Sequence, residues 1–451
     1  MGIGNGIRFG VCAMLEKLFR LKAHGTNVRT EALAGATTFL TMAYIIVVNP
    51  AILSAAGLPV AAVAAATCLS AGIASIMMGL FANYPLALAP GMGLNAYFTY
   101  TVVLGMGVPW QTALGCVFIS GIAFLLLTLV GIRQLIIRSI PRPLLAATAA
   151  GIGLFIAFIG LRNAGLVVSN PATTVALGDL KTPTALLSLA GLALIGALQA
   201  WKVKGAMLIG IVVISVAGAF FGLTQWHGWT SGPAALMETA FKLDIPGAFN
   251  LGGSFGVALL EIIFVFLFVD LFDNVGTLAA VTKRAGLQGP DGSIPRLNRV
   301  LYTDSTATMI GALAGTTTVT SYIESAAGIA AGGRTGLTAV VTGLLFLLAL
   351  FLAPLAGLVP SAATAPALIL VGAMMVGALG EVDWSEPLDA LPAFLTVIMI
   401  PLTFSIANGL AFGITAFAVL KIVTGKARGS DWMLFVLAGL FVLRFAYLAA
   451  G

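Results

Sequence analysis

Carboxylic acids inside apolar runs are the residues of this sequence best suited to chemistry. The run EIIFVFLFVDLFDNVGTL contains Asp270 and Asp273, whose i, i+3 spacing places them on one face of a helix. Glu324 lies in a second run, after TTTVTSYI. An acid at the centre of a lipid-embedded helix costs about 2.5–3.5 kcal/mol, so it indicates a function or a hydrogen-bond network between helices. Glu31 and Asp304 lie near the starts of two other spans. Glu31 is assigned to the interface, and Asp304 is assigned to capping its helix or to tying that helix to a loop. We predict that Asp270, Asp273 and Glu324 converge on one polar site.

The residue types around these acids favour the binding of a flat, neutral heterocycle. An ionised carboxylate accepts two N–H donors, and an amide such as Asn95 donates and accepts at once. Purine bases carry N–H donors beside ring-nitrogen acceptors, which this set complements. Tyr97 and Phe98 can stack on a flat ring, although packing within the protein explains them equally well. A carboxyl group shielded from water and close to a second acid can gain and lose a proton, which would couple binding to a proton gradient.

Composition places the chain in a membrane. Of its 451 residues, 60% are hydrophobic and 8% are charged, and the mean hydropathy is +1.08. A soluble domain carries about a quarter charged residues, so this chain cannot coat a large water-facing surface. The net charge of +6 therefore does not indicate a nucleic-acid partner. The cysteines and histidines show no disulfide, redox or metal spacing: Cys12, Cys68, Cys116, His24 and His227.

Apolar runs bounded by charge, Pro or Gly predict fourteen transmembrane helices in two sets of seven. The first set covers 31–56, 60–82, 92–106, 111–131, 139–160, 184–201 and 205–224. The second set covers 255–282, 299–315, 322–332, 335–354, 364–380, 388–403 and 407–424.

The basic residues predict the orientation of these helices. A cytoplasmic N-terminus puts most Lys and Arg on the cytoplasmic side of an inner (plasma) membrane and leaves Arg162, Lys181 and Lys242 opposite. The sequence does not decide whether the apolar stretch 431–450 spans the membrane. The predicted divisions are a cytoplasmic segment 1–30, seven-helix repeats 31–224 and 255–424, an outer loop 225–254 between them, and a hydrophobic C-terminal segment 425–451.

The third and tenth spans are interrupted at corresponding places. LALAPGMGLNAYFTY carries Pro90, Gly91 and Gly93, and AGTTTVTSYIESAAG carries β-branched residues before a small-residue helix. Irregular backbone at membrane depth is tolerated only where protein buries it or where it lines a cavity. Matching interruptions in two halves indicate a transporter binding site, with close helix packing as the alternative explanation of the glycines. Because each half has seven spans, the second repeat is inverted relative to the first.

Six segments resemble the azaguanine-like purine permeases of the nucleobase–ascorbate transporter superfamily, also called nucleobase–cation symporters. They are TTFLTMAYIIVVNPAIL, APGMGLNAYF, NPATTVALGDL, FVDLFDNVGTL, TTTVTSYIESAAG and AAGGRTGLTAV, in the family's order between about His24 and Arg428. The resemblance implies an all-α polytopic membrane fold of fourteen helices in an inverted 7+7 repeat, divided into core and gate domains. It also implies short antiparallel strands before the third and tenth helices, an elevator-type motion and a homodimer in the membrane lipid.

The resemblance further implies roles for individual residues. Asp270 and Glu324 carry over as substrate residues, and Asn95 and Asp273 carry over as residues needed for transport. The expected protein is not an enzyme and needs no cofactor or metal; it imports adenine, guanine or hypoxanthine together with protons. The full predicted site has substrate contacts at Asp270, Glu324, Asn95, Phe98 and Ile323, and proton-coupling or supporting groups at Asp273, Thr320 and Ser321.

Two other functions are compatible with parts of this pattern. One is an anion transporter of the same fold, although Glu324 would repel an anion. The other is a membrane-embedded lipid transferase that uses Asp270 and Asp273, although the second acidic cluster that such enzymes use is absent. The sequence leaves open which purine is preferred, the coupling stoichiometry and which carboxylate carries the proton.

Overall fold

Apolar helices make up most of the chain that the structure describes. The computed structural model describes residues 14–131, 141–224, 232–250, 258–288 and 294–450. Within these ranges, eight helical segments are long and apolar enough to cross a membrane, by length and composition, and three further apolar helices are shorter. The prediction of an all-α, multi-pass membrane fold is confirmed.

The first half of the chain follows the predicted order of spans. The first span bends at Tyr44, where one helix ends and the next begins. The third span continues beyond its first short helix as a π-helix at Tyr97–Gly105. Residues 132–140, at the start of the predicted span 139–160, lie outside the described residues. The helices are α1 (Val28–Met42), α2 (Ile45–Leu53), α3 (Val60–Met77), α4 (Met92–Ala96), α5 (Trp110–Val130), α6 (Arg142–Asn163), α7 (Pro183–Ala200) and α8 (Ala206–Phe220).

The second half repeats this order after two short helices, α9 (Gly232–Leu236) and α10 (Ile245–Ala248), in the predicted outer loop. Residues 251–257, at the start of the predicted span 255–282, lie outside the described residues. The remaining helices are α11 (Ala258–Arg284), α12 (Leu297–Ala314), α13 (Ser325–Ala330), α14 (Gly336–Ala349), α15 (Ser361–Val376), α16 (Pro387–Thr403), α17 (Ile406–Val423) and α18 (Trp432–Ala450). The tenth span, α13, is shorter than the predicted 322–332, because a strand precedes it and Gly332 has a left-handed φ of 106°.

Short strands cross at the two interrupted spans. The described strands are β1 (Leu88–Pro90), β2 (Val167–Asn170), β3 (Thr174–Leu177) and β4 (Val319–Ser321). β1 and β4 pair antiparallel, with Leu88 opposite Ser321 and Pro90 opposite Val319. We call this strand pair the crossing. All six residues of this pair are buried, so the backbone that the broken helices leave unpaired is satisfied inside the protein. The strands expected from the resemblance are confirmed; β2 and β3 form a separate hairpin.

The helices pack in two groups. The first contains α1–α5 with α11–α14, and the second contains α6–α8 with α15–α17. Glycines allow the closest approaches within each group: a Cβ on Gly336 would lie 2.0 Å from the carbonyl oxygen of Gly79, and one on Gly372 would lie 2.3 Å from that of Gly153. These groups correspond to the core and gate expected from the resemblance.

Glu31 connects α1 to the start of α14. Its carboxylate is fully buried and accepts hydrogen bonds from the N–H groups of Arg334, Thr335 and Thr338, at 2.9, 3.2 and 3.2 Å. The Thr338 hydroxyl donates a further bond at 2.6 Å. Glu31 thus satisfies N–H groups that a helix start leaves unpaired, and its position at the membrane interface stays a prediction. Asp304 lies fully buried inside α12, which begins before it, so the predicted capping role of Asp304 is wrong.

The C-terminal helix α18 contacts one helix from each of the two packing groups. Phe441 contacts Phe264 of α11, with ring centroids 5.9 Å apart, and Phe445 contacts Phe412 of α17 at 5.3 Å. The hydrophobic segment that the sequence left unassigned is thus a helix packed on the eighth and fourteenth spans.

Candidate functional site

Glu324 lies between β4 and α13, where the tenth span is broken. Glu324 is partly exposed as a residue, and the neighbouring Ile323 is half exposed, whereas the residues on either side of this pair are buried. The hydroxyl of Tyr44 donates a hydrogen bond of 2.6 Å to Oε1 of Glu324. Tyr44 is fully buried at the bend between α1 and α2. The bend of the first span thus holds the carboxyl group of Glu324 at the break of the tenth span.

Asp270 lies on α11 and is connected through Thr308 to the first residue of β4. It is 2% exposed, and its Oδ2 accepts a hydrogen bond of 3.2 Å from the hydroxyl of Thr308 on α12. The same hydroxyl lies 3.3 Å from the carbonyl oxygen of Val319, the first residue of β4. Asp270 and Glu324 are therefore linked to opposite ends of one strand segment. The backbone of Asp273 belongs to α11, but its side chain lies outside the described residues, so the structure does not place its carboxyl group.

Asn95 belongs to a closed polar network on the other side of the crossing. Its amide N–H donates to Oδ1 of Asn49 at 2.5 Å, and its Oδ1 accepts from the hydroxyl of Thr317. The amide of Asn49 in turn donates to the hydroxyls of Thr67 and Thr316, at 2.8 and 2.9 Å. All five side chains are 0% exposed. The structure therefore places the Asn95 amide inside the packed protein rather than at an accessible surface.

The aromatic pair of the third span faces α11. Phe98 and Tyr97 are buried, and their ring centroids lie 6.5 and 5.3 Å from that of Phe266. The ring of Phe98, predicted to contact the substrate, packs on protein in this conformation.

The strand β4 carries hydroxyl groups that are buried and unsatisfied. The hydroxyls of Thr318, Thr320 and Ser321 have no hydrogen-bond partner within the described ranges, and the same holds for Thr99 on the third span. A buried polar group without a partner costs about 1–3 kcal/mol, so a native protein normally supplies a water or a ligand. The hydroxyls near β4 are therefore available to a water molecule or a polar ligand.

Backbone and side-chain bonds fix the two strands against each other. The hydroxyl of Tyr322 donates to the carbonyl oxygen of Pro90 at 2.5 Å, and the N–H of Ala87 donates to the hydroxyl of Ser325 at 3.0 Å. These bonds connect the entry to the tenth span with the entry to the third. The residues on either side of Ile323 and Glu324 are therefore bonded to the third span.

Comparison with known proteins assigns the chain to a family. Residues 29–442 match the Permease family, which covers nearly the whole chain. The chain belongs to this family. The permease is an azaguanine-like member of the nucleobase–ascorbate transporter superfamily, as the sequence motifs indicated. It is a multi-pass membrane transporter and not an enzyme, so the lipid-transferase alternative is wrong.

Two relatives with named substrates are similar over almost their full lengths. The adenine permease AdeP of Escherichia coli (strain K12) is 47% identical over 97% of this chain and 97% of its own. The guanine/hypoxanthine permease PbuG of Bacillus subtilis (strain 168) is 44% identical over 96% of this chain and 100% of its own.

A solved structure supports the fold. The transmembrane domain of a cyanobacterial bicarbonate transporter, BicA, superposes with a TM-score of 0.64, covering 86% of this permease and 97% of that domain. Because the two sequences are 16% identical, this similarity concerns the fold alone.

Sequence reasoning did not assign two site residues that the structure shows. Tyr44 and Asn49 both lie in TMAYIIVVNP, a polar Tyr and Asn within an otherwise apolar run. The same test that selected the acids, a polar group at membrane depth, would have selected Asn49. Tyr44 could not be selected in this way, because a tyrosine packs in a membrane protein without needing a function.

Proposed function

We propose that this permease imports purine bases together with protons, with Glu324 and Asp270 as the carboxyl groups that bind the base. The observation that carries the proposal is the partly exposed Glu324 at the break of the tenth span, held by the Tyr44 hydroxyl at 2.6 Å. A carboxylate in such a place accepts two N–H donors from a planar ring. Relatives 44–47% identical to this chain are named as permeases for adenine and for guanine and hypoxanthine.

The groups around the two acids provide the remaining contacts. Ile323 offers an apolar surface to the face of the base. The unsatisfied hydroxyls of Thr320 and Ser321 supply donors or acceptors for its edge. Asn95 and Phe98 support the site without contacting the base. The Asn95 amide holds the crossing in place, and the Phe98 ring packs against α11.

A carboxyl group of this site also carries the coupled proton. The substrate is neutral, so charge moves inward only with the proton. One acid binds a proton on the outer side with the base and releases both on the inner side. Tyr44 keeps Glu324 hydrogen-bonded whether or not that carboxyl is protonated, because its hydroxyl can donate or accept. Asp273, on the same helix as Asp270, is the supporting acid in this scheme.

Transport is proposed to proceed by an elevator motion, in which the group α1–α5 with α11–α14 carries the site past α6–α8 with α15–α17. Support comes from the separate packing of the two groups and from the crossing strands, which belong to the first group. The proposed setting is an inner membrane, with the N-terminus in the cytoplasm and two copies forming a dimer.

Uptake by reconstituted protein tests the function. We expect labelled adenine or hypoxanthine to accumulate in proteoliposomes when the outside is acidic, and a protonophore to abolish the accumulation. Labelled bicarbonate is the comparison for an anion transporter of the same fold. Purine accumulation that a protonophore leaves unchanged contradicts proton coupling, and bicarbonate accumulation without purine uptake contradicts the substrate.

A further inference from the structure

A cavity of about 610 Å³ lies where the N-terminal segment meets the end of the second span and the start of α12. None of the proposed substrate residues lines it. Its walls combine two kinds of side chain, cationic and apolar: Arg20, Arg296 and Arg299, and Leu18, Leu80 and Phe81.

Among the residues that the structure describes, no carboxylate pairs with the cationic wall. None of the three arginines forms a salt bridge with a carboxylate in the part of the chain that the structure describes. The guanidinium of Arg296 instead lies 5.2 Å from the ring centroid of Tyr84, and that of Arg299 lies 6.0 Å from the ring of Phe81. Aromatic contacts orient a guanidinium without neutralising it. An oriented guanidinium group can donate two parallel hydrogen bonds to two oxygens of one phosphate, so this wall suits a phosphate group.

The apolar wall is exposed next to these charges. Leu18, Leu80 and Phe81 are 49%, 49% and 57% exposed. On the N-terminal segment, Leu18 and Arg20 are exposed whereas Phe19 and Leu21 are 1% and 3% exposed, which anchors the segment. A charged pocket with exposed apolar residues at the end of membrane helices is the pattern of a lipid headgroup site.

The backbone of the cavity is held in a costly conformation. Arg20, Asn83 and Arg296 have left-handed φ values of 54°, 53° and 55°, and all three residues line the cavity. Such a conformation costs a non-glycine residue about 1 kcal/mol or more and persists where the surrounding structure enforces it, often at functional sites. The side chain of Asn83 enforces it here, since it accepts from the N–H of Gly336 at 2.7 Å and donates to the carbonyl of Phe19 at 3.2 Å.

We propose that this cavity binds the headgroup of an anionic phospholipid. Arg20, Arg296 and Arg299 contact the phosphate, and the exposed leucines and Phe81 lie along the acyl chains. A free phosphate compound shares the headgroup chemistry but makes no use of the apolar wall. The bound lipid would hold the N-terminal segment against the second and ninth spans, which both belong to the group that contains the substrate site.

Lipid titration of the purified full chain in a neutral detergent tests this site. Short-chain phosphatidylglycerol is compared with phosphatidylcholine of the same chain length and with glycerol phosphate, and binding is followed by the shift in thermal unfolding temperature. We expect only phosphatidylglycerol to stabilise the wild type. The double variant Arg296→Gln/Arg299→Gln should weaken binding about 25-fold, at about fivefold for each charge removed. The matched control is Lys17→Gln/Lys22→Gln, which removes two exposed charges from the N-terminal segment outside the cavity and should change binding less than twofold.

Four results would overturn the proposal. If phosphatidylcholine stabilises the protein as much as phosphatidylglycerol does, the anionic charge of the lipid plays no role. If the control variant weakens lipid binding as much as the arginine double variant does, the lipid is attracted by the overall positive charge and not by this site. Stabilisation by glycerol phosphate as strong as that by phosphatidylglycerol assigns the cavity to a soluble phosphate compound. If the double variant does not fold, Arg20→Gln is measured instead, because that side chain is exposed; unchanged lipid binding by this variant also rejects the site.

Discussion

The two sides of the β1–β4 crossing satisfy their polar groups in opposite ways. On the α4 side, Asn95 and Asn49 use their amides within a network whose five members are all fully buried. On the α13 side, Glu324 is partly exposed, and the hydroxyls of Thr320 and Ser321 have no partner in the described part of the chain. Both sides are polar, but among the described residues most of the unsatisfied hydroxyls near the strand pair lie on the second side, and Thr99 is the exception on the first.

From this difference we infer that the α4 side positions the crossing and that the α13 side binds the purine. A saturated buried network is rigid, because every change in one member leaves another unsatisfied at about 1–3 kcal/mol. Unsatisfied polar groups can instead form hydrogen bonds with a ligand without breaking any bond within the protein. We therefore expect substitutions on the α4 side to affect stability first, and substitutions on the α13 side to affect purine affinity first.

The largest effect is expected from Glu324→Gln. The amide keeps the size of the side chain but loses the charge, which removes two charge-assisted hydrogen bonds to the base and lowers uptake by about 100-fold or more. Uptake of labelled purine into proteoliposomes measures this, with Glu238→Gln, an exposed acid outside the spans, as the matched control. Normal uptake by Glu324→Gln would show that the Glu324 carboxyl group is not part of the site.

Asp270→Asn is expected to weaken purine binding by about 10- to 100-fold, because one anionic acceptor is lost while the amide oxygen can still accept from Thr308. Equilibrium binding to purified protein measures the change. Wild-type affinity for the purine in this variant would show that Asp270 only bonds to α12 and does not bind the base.

The saturated side should respond through stability. Asn49→Ala and Asn95→Ala are each expected to lower the free energy of unfolding by about 1–3 kcal/mol, and the double variant by clearly less than the sum, because the two amides share one bond. Thermal unfolding and purine binding are measured on the same samples. If Asn95→Ala abolishes purine binding while Asn49→Ala leaves it intact, Asn95 contacts the base directly and the proposed division of the crossing is wrong.

The smallest effect is expected from Thr320→Val and Ser321→Ala. Removal of an unsatisfied hydroxyl should weaken purine binding about threefold to tenfold while leaving thermal stability equal or slightly raised, since a buried polar group without a partner disappears. A clear loss of stability in either variant would mean that these hydroxyls have protein partners in the working protein.

The sequence predicts the membrane fold because lipid constrains the chain so strongly. Long apolar runs must be helices, and the interruption at Pro90 and Gly91 was visible as a break. The strands themselves came from the family resemblance, because three-residue segments such as VTS have no periodicity of their own.

The candidate site was less predictable, because its partners are far apart in sequence. The acids could be selected by their cost at membrane depth, but nothing local indicates that Tyr44 contacts Glu324, 280 positions away. Glu31 shows the same limit: its position at a helix start suggested the interface, and only the fold brings the start of α14 onto its carboxylate.

A structure of the purine-bound protein would test the central claim most directly. The account predicts a base within hydrogen-bonding distance of the carboxyl groups of Glu324 and Asp270, with the Asn95 amide still bonded to Asn49 and Thr317. A base bonded to the Asn95 amide, or lying away from both acids, would contradict it.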